Sequence, residues 1–143
     1  MKRALLTCTS TSFLIFCLGL LPMNVAARTD KLVEPDPFTP ACSLPTDKLQ
    51  TAIVTAAAVR GWTVADKAPN NMVMKYIKGN YKHVLVVNVG YHSNVIAVTY
   101  EDSTNLDYKV KKNGVRYLHP NAINWMQNLS GDIRRSIEVQ CSQ

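Results

Sequence analysis

The sequence predicts an α+β two-layer sandwich: a four- to five-stranded antiparallel meander with two antiparallel helices on one face. Three observations lead there. An alanine-rich run with helical spacing gives way to a tract that alternates every two residues. Short turn-like links divide that tract into strand-length pieces. The chain then closes on a second helical stripe, Met126, Leu129, Ile133 and Ile137, which Cys141 continues.

The first helix is predicted from Thr46. Thr46 and Asp47 suit a helix start, and Gly61 suits the position just past an end. Leu49, Ile53, Ala56 and Ala57 mark its apolar side, with Ala52 filling in, so it can approach a neighbour closely. Strands follow at 62–67, 72–78, 83–91 and 94–100, with a shorter fifth at 108–110. Connections this short join antiparallel neighbours. Pro120 suits the first turn of the closing helix, and Arg134 and Arg135 are placed to complement its dipole. Ala122 extends the buried stripe, and Gly131 weakens the helix locally.

Ahead of the domain lie two segments of different character. Residues 1–27 begin with Lys2 and Arg3, continue through an apolar run and end at Val25-Ala26-Ala27, the pattern of a cleaved signal peptide. The run approaches the roughly 20 residues of a membrane span. Its hydroxyl cluster and small-residue ending favour cleavage, which predicts a periplasmic or secreted protein. Cys17 follows the bulky Ile15 and Phe16, where a lipid-modified cysteine wants a small neighbour, and Cys8 lies too early. Residues 28–45 contain Pro35, Pro37, Pro40 and Pro45 and should form an extended leader, leaving 46–143 as a single domain.

Cleavage leaves Cys42 and Cys141, near the two ends of the mature chain. In an exported protein they read as one disulfide, which requires Cα atoms within about 7 Å. The start of one helix must then lie beside the end of the other. The whole chain carries 16 basic and 10 acidic residues. Without Lys2 and Arg3 the net charge is +4, enough to permit attraction to anionic surfaces but not to demand it.

The segment between Tyr100 and Tyr108 is the candidate functional surface. Tyr100, Asp102, Ser103, Asn105 and Tyr108, with His119 beyond, concentrate hydrogen-bonding groups at one strand-to-loop transition. The same residue types cap their own backbone as Asx and Ser/Thr turns, and that local role weighs more. Asp102, Ser103 and His119 would supply a carboxylate, a nucleophile and a base, a trio that any domain of this size can offer. No Gly-x-Ser-x-Gly elbow accompanies them, and the adjacent Glu101 and Asp102 should point to opposite faces of a strand. His83, His92 and His119 are scattered in sequence, and oxidised cysteines offer no thiolate, so no metal or cofactor is expected. Lys75, Lys78 and Lys82, and separately Lys109, Lys111, Lys112 and Arg116, are candidates for weak anionic-surface binding. Lysines also guard sheet edges.

Arg60-Gly61-Trp62, the Tyr-x-Asp-Ser-x-Asn-Leu-x-Tyr run from Tyr100 to Tyr108, then His119 and Asn124-x-x-x-Asn128-Leu129, resemble a family of small uncharacterised proteobacterial envelope proteins, many of them lipoproteins. Ala122 stands where an aromatic residue is usual. The resemblance implies a location and a fold class, and brings no activity. The expectation is a non-catalytic envelope protein that binds a partner protein or cell-wall component. The alternative is a small secreted hydrolase or enzyme inhibitor using the 100–108 loop and His119.

Overall fold

The computed structural model describes residues 28–143, so the signal-peptide reading and Cys8 and Cys17 lie outside the described residues. The order is β1 (Asp30–Lys31), α1 (Thr46–Val59), β2 (Trp62–Ala68), β3 (Asn71–Lys78), β4 (His83–His92), β5 (Val95–Thr104), β6 (Lys109–Val110), β7 (Arg116–Leu118) and α2 (Pro120–Cys141). The fold is the expected mixed α+β open sandwich, with one difference. The strands form two antiparallel sheets, β2-β3-β4-β5 and β1-β7-β6. The short fifth strand exists as β6 but pairs with β7 instead of extending the meander. Asn105 and Asp107 take left-handed backbone angles, and buried Leu106 between them anchors the chain as it turns away.

Alternation sets the core face of the large sheet. Met72, Met74, Leu85, Val87, Val89, Ile96 and Val98 are buried and join one continuous core with both helices. The other face, with Val73, Lys75, Ile77, Val84 and Val86, stays partly exposed. At the β4–β5 turn Ser93 and Asn94 both have positive φ, which matches the right-handed twist of the paired strands. β5 runs four residues further than the alternation suggested, so Glu101 to Thr104 also belong to the strand. An irregularity there, between the pairs Val86–Asp102 and Val87–Tyr100, makes Glu101 the extra residue. Strict alternation fails at that point, so the opposite-face argument for Glu101 and Asp102 does not apply.

α1 buries Ala52, Ile53, Ala56 and Ala57. The cap differs from expectation. Pro45 occupies the N-cap without a side-chain bond, Asp47 contributes charge in the first turn, and Thr51 Oγ1 donates to the Asp47 carbonyl at 2.8 Å. Gly61, at φ +81°, ends the helix as read from sequence. α2 buries Ala122, Met126, Leu129, Ser130, Ile133 and Ile137. Because it continues to Cys141, Arg134 and Arg135 sit before its last turn and do not serve the dipole. Arg134 lies 4.4 Å from the Phe38 ring, and Arg135 pairs with Asp132.

Three cross-links step along the helices in opposite directions. Cys42 and Cys141 lie at disulfide distance, with Cα atoms 5.6 Å apart. Ser136 Oγ donates to the Ala52 carbonyl at 3.0 Å, and Arg60 pairs with Asp132. The helices are therefore antiparallel. The leader completes the body. Phe38 exchanges two backbone hydrogen bonds with Ile96 on the outer edge of β5, and Glu34 accepts from the Tyr100 N–H and from Arg116, both at 3.1 Å.

Reduction of the Cys42–Cys141 bridge should cost about 2–4 kcal/mol, read as a lower urea midpoint in the presence of reductant. Superimposable unfolding curves would contradict the tie. Gly131 lies inside α2, and a Cβ there would meet nothing nearer than the flexible tip of Arg135, at 3.6 Å. Gly131→Ala should therefore raise stability by about 0.5–1 kcal/mol, with a matching increase in Tm.

Candidate functional site

The residues between Tyr100 and Tyr108 are occupied in holding the chain together. Tyr100 and Tyr108 stack with ring centroids 4.6 Å apart, and the Tyr100 hydroxyl and Ser103 Oγ share a hydrogen bond at 2.9 Å. Burial pushes the Tyr100 phenol above its ordinary pKa, and the Ser103 bond partly offsets this. The Asp102 carboxylate accepts from the Ser103 N–H at 2.7 Å. Asn105 donates from Nδ2 to the Lys82 carbonyl at 2.7 Å, and its own carbonyl accepts from His83 Nδ1 at 2.8 Å. The loop is thereby pinned to the β3–β4 hairpin.

His119 is the N-cap of α2, its Nδ1 accepting from the Asn121 N–H at 3.2 Å. Among the described residues no hydrogen bond joins His119 to Ser103 or Asp102. The basic residues also separate. Lys75 and Lys78 stand on opposite faces of β3, because they are three positions apart in a strand. Lys109, Lys111 and Lys112 belong to the β6–β7 hairpin of the other sheet, with Lys111 Nζ 4.2 Å from the Tyr117 ring.

A different surface gathers chemistry. Trp62, on β2, packs against Tyr76, on β3, with centroids 5.2 Å apart, and Tyr76 meets Trp125, on α2, at 4.9 Å. Trp62 is buried, whereas Tyr76 and Trp125 remain partly open. Trp125 forms a wall of two clefts. One, of about 380 Å³, is also lined by Val59, Arg60, Tyr76 and Asn128. The other, of about 320 Å³, is lined by Lys78, His83, Leu106, His119 and Asn121. Lys78 Nζ stands 5.6 Å from the Trp125 ring centroid.

Two of the three histidines thus converge where the sequence left them scattered. His83 opens β4, and His92 closes it about 30 Å away at strand rise. Among the described residues no group of three or more His, Cys, Asp or Glu side chains is placed to hold a metal. No buried side-chain nitrogen or oxygen among them lacks a hydrogen-bond partner. No helix among them is long and apolar enough to cross a membrane.

Sequence reasoning overlooked this groove. The signal was present in α2, where Asn121, Trp125, Asn128 and Asp132 recur at helical spacing one step around from the buried stripe. Searches of protein-family models, curated proteins and solved structures found no match to the chain.

Asn105→Ala should cost about 1–2 kcal/mol, since alanine tolerates the left-handed conformation poorly and loses the bond to Lys82. Urea unfolding measures this directly. A loss below a few tenths of a kcal/mol would show that the loop is not the structural pin described.

Proposed function

We propose that the protein is an exported, non-catalytic component of the bacterial cell envelope that binds a saccharide-bearing envelope component in the groove along Trp125. The observation that carries this reading is the Trp62–Tyr76–Trp125 ladder, open on both sides of Trp125 and edged by Asn121 and Asn128. An aromatic wall offers a flat apolar surface to the C–H face of a sugar ring. Side-chain amides both donate to and accept from hydroxyls, so the two groups together suit a polyhydroxylated ligand.

Export is supported by the leader pattern ending at Ala27 and by a cysteine pair at bonding distance, which suits an oxidising compartment. The resemblance of the segments around Tyr100 and Asn128 to envelope proteins points the same way. A non-catalytic role is supported by the commitments of the trio read from the sequence. Ser103 bonds Tyr100, Asp102 bonds the Ser103 backbone, and His119 caps α2. Each geometry serves the fold, and none activates a nucleophile.

Calorimetric titration with solubilised cell-wall glycan fragments tests the reading. Trp125→Ala should weaken binding at least tenfold, while Tyr108→Ala leaves it unchanged. Equal binding by wild type and Trp125→Ala, or no binding of glycan by wild type, would overturn it.

A further inference from the structure

The two clefts beside Trp125 differ in charge. On one side Arg60 is already paired with Asp132, whose hydrogen bond and then charge raise the guanidinium pKa further. On the other side Lys78 has no carboxylate among the residues lining its cleft, and its ammonium stands at the Trp125 ring. An unbalanced cation within a concave, partly apolar surface favours an anion.

The histidines have assigned roles in that cleft. His83 Nδ1 faces the Asn105 carbonyl, which can only accept, so Nδ1 carries a proton, and in the neutral tautomer this fixes, Nε2 holds the lone pair. His119 is reversed. Its Nδ1 accepts from the Asn121 N–H, so the ring proton sits on Nε2 and is available to donate. Lys78, His119 and the Asn121 side chain therefore supply donors, and His83 Nε2 faces the cleft as the ring nitrogen not committed to Asn105.

We infer that the cleft between Lys78, His83 and His119 recognises an acidic sugar, one whose ring lies on Trp125 and whose anionic oxygens meet Lys78 and His119. A hydroxyl of the same sugar donates to His83. This rests on the reading of Trp125 as a saccharide surface and adds the charge class of the ligand. A cleft of about 320 Å³ has room for one substituted ring. Carboxylate and phosphate present the same anionic oxygens, so uronic acids and sugar phosphates are the two sources to compare.

Glucuronate, glucose 6-phosphate and glucose are titrated at matched ionic strength, with tryptophan fluorescence as the readout. At least one of the two acids should bind ten or more times tighter than glucose, and Lys78→Met should abolish that preference without changing Tm. Preference for one acid alone supports the inference and names its anionic group. Lys111→Met, which removes the same charge from the other sheet, should retain the preference. Equal affinity for all three sugars, or equal losses in the two lysine variants, would overturn acid recognition while leaving the Trp125 groove intact. Failure of all three to bind would overturn it as well, and the glycan titration of Trp125→Ala then decides the groove separately.

Discussion

The buried stripe of α2 is the interaction on which the rest of this structure depends. Ala122, Met126, Leu129, Ile133 and Ile137 are fully buried, and they meet α1 on one side and the core face of β2–β5 on another. Burying one large aliphatic side chain contributes about 1.5–3 kcal/mol, so the four large residues of the stripe outweigh any single polar contact in the molecule. The bridge between Cys42 and Cys141 and the bond from Ser136 to Ala52 then hold the helices in one register. With the stripe seated, no rotation of α2 is left, and every side chain on its remaining surface has a fixed direction.

That constraint places the groove. Trp125 precedes Met126 and stands at the margin between buried and open, so it covers Tyr76 and still faces solvent. Asn121 and Asn128 are carried to the same margin by helical spacing. The first turn of α2 brings His119 to the β3–β4 hairpin, which contributes Lys78 and His83. Asn105, reaching back to the same hairpin, orients the His83 ring. The 100–108 segment therefore supports the groove from behind and contributes Leu106 to its lining.

Much of the architecture was legible because it follows from local periodicity. The bounds of α1, the four strands of the meander and the stripe of α2 all appear as repeats of 3.6 or 2 residues, and Gly61 marks a helix end by its backbone freedom alone. The pairing of Cys42 with Cys141 was legible by elimination. Partnership at the β5 edge was not. Glu34 and Phe38 lie in a proline-rich leader with no repeat, and their bonds to Tyr100 and Ile96 are made across 66 and 58 residues. The same holds for β6, where two residues carry too little pattern to reveal which sheet they join.

The polar segment from Tyr100 to Tyr108 shows that a composition suited to a site also serves the fold. Hydrogen-bonding side chains gather where a chain must leave a strand and turn sharply, so their density marks a structural problem as readily as a ligand. By itself the sequence determined the two layers and the order of the two helices and the four-stranded meander, because neighbouring residues encode these. Only the tertiary structure decided which histidines meet, which lysine stands at the Trp125 ring and that clefts open on both sides of that ring. Those facts depend on contacts between residues some 40 positions apart, and no local pattern records them.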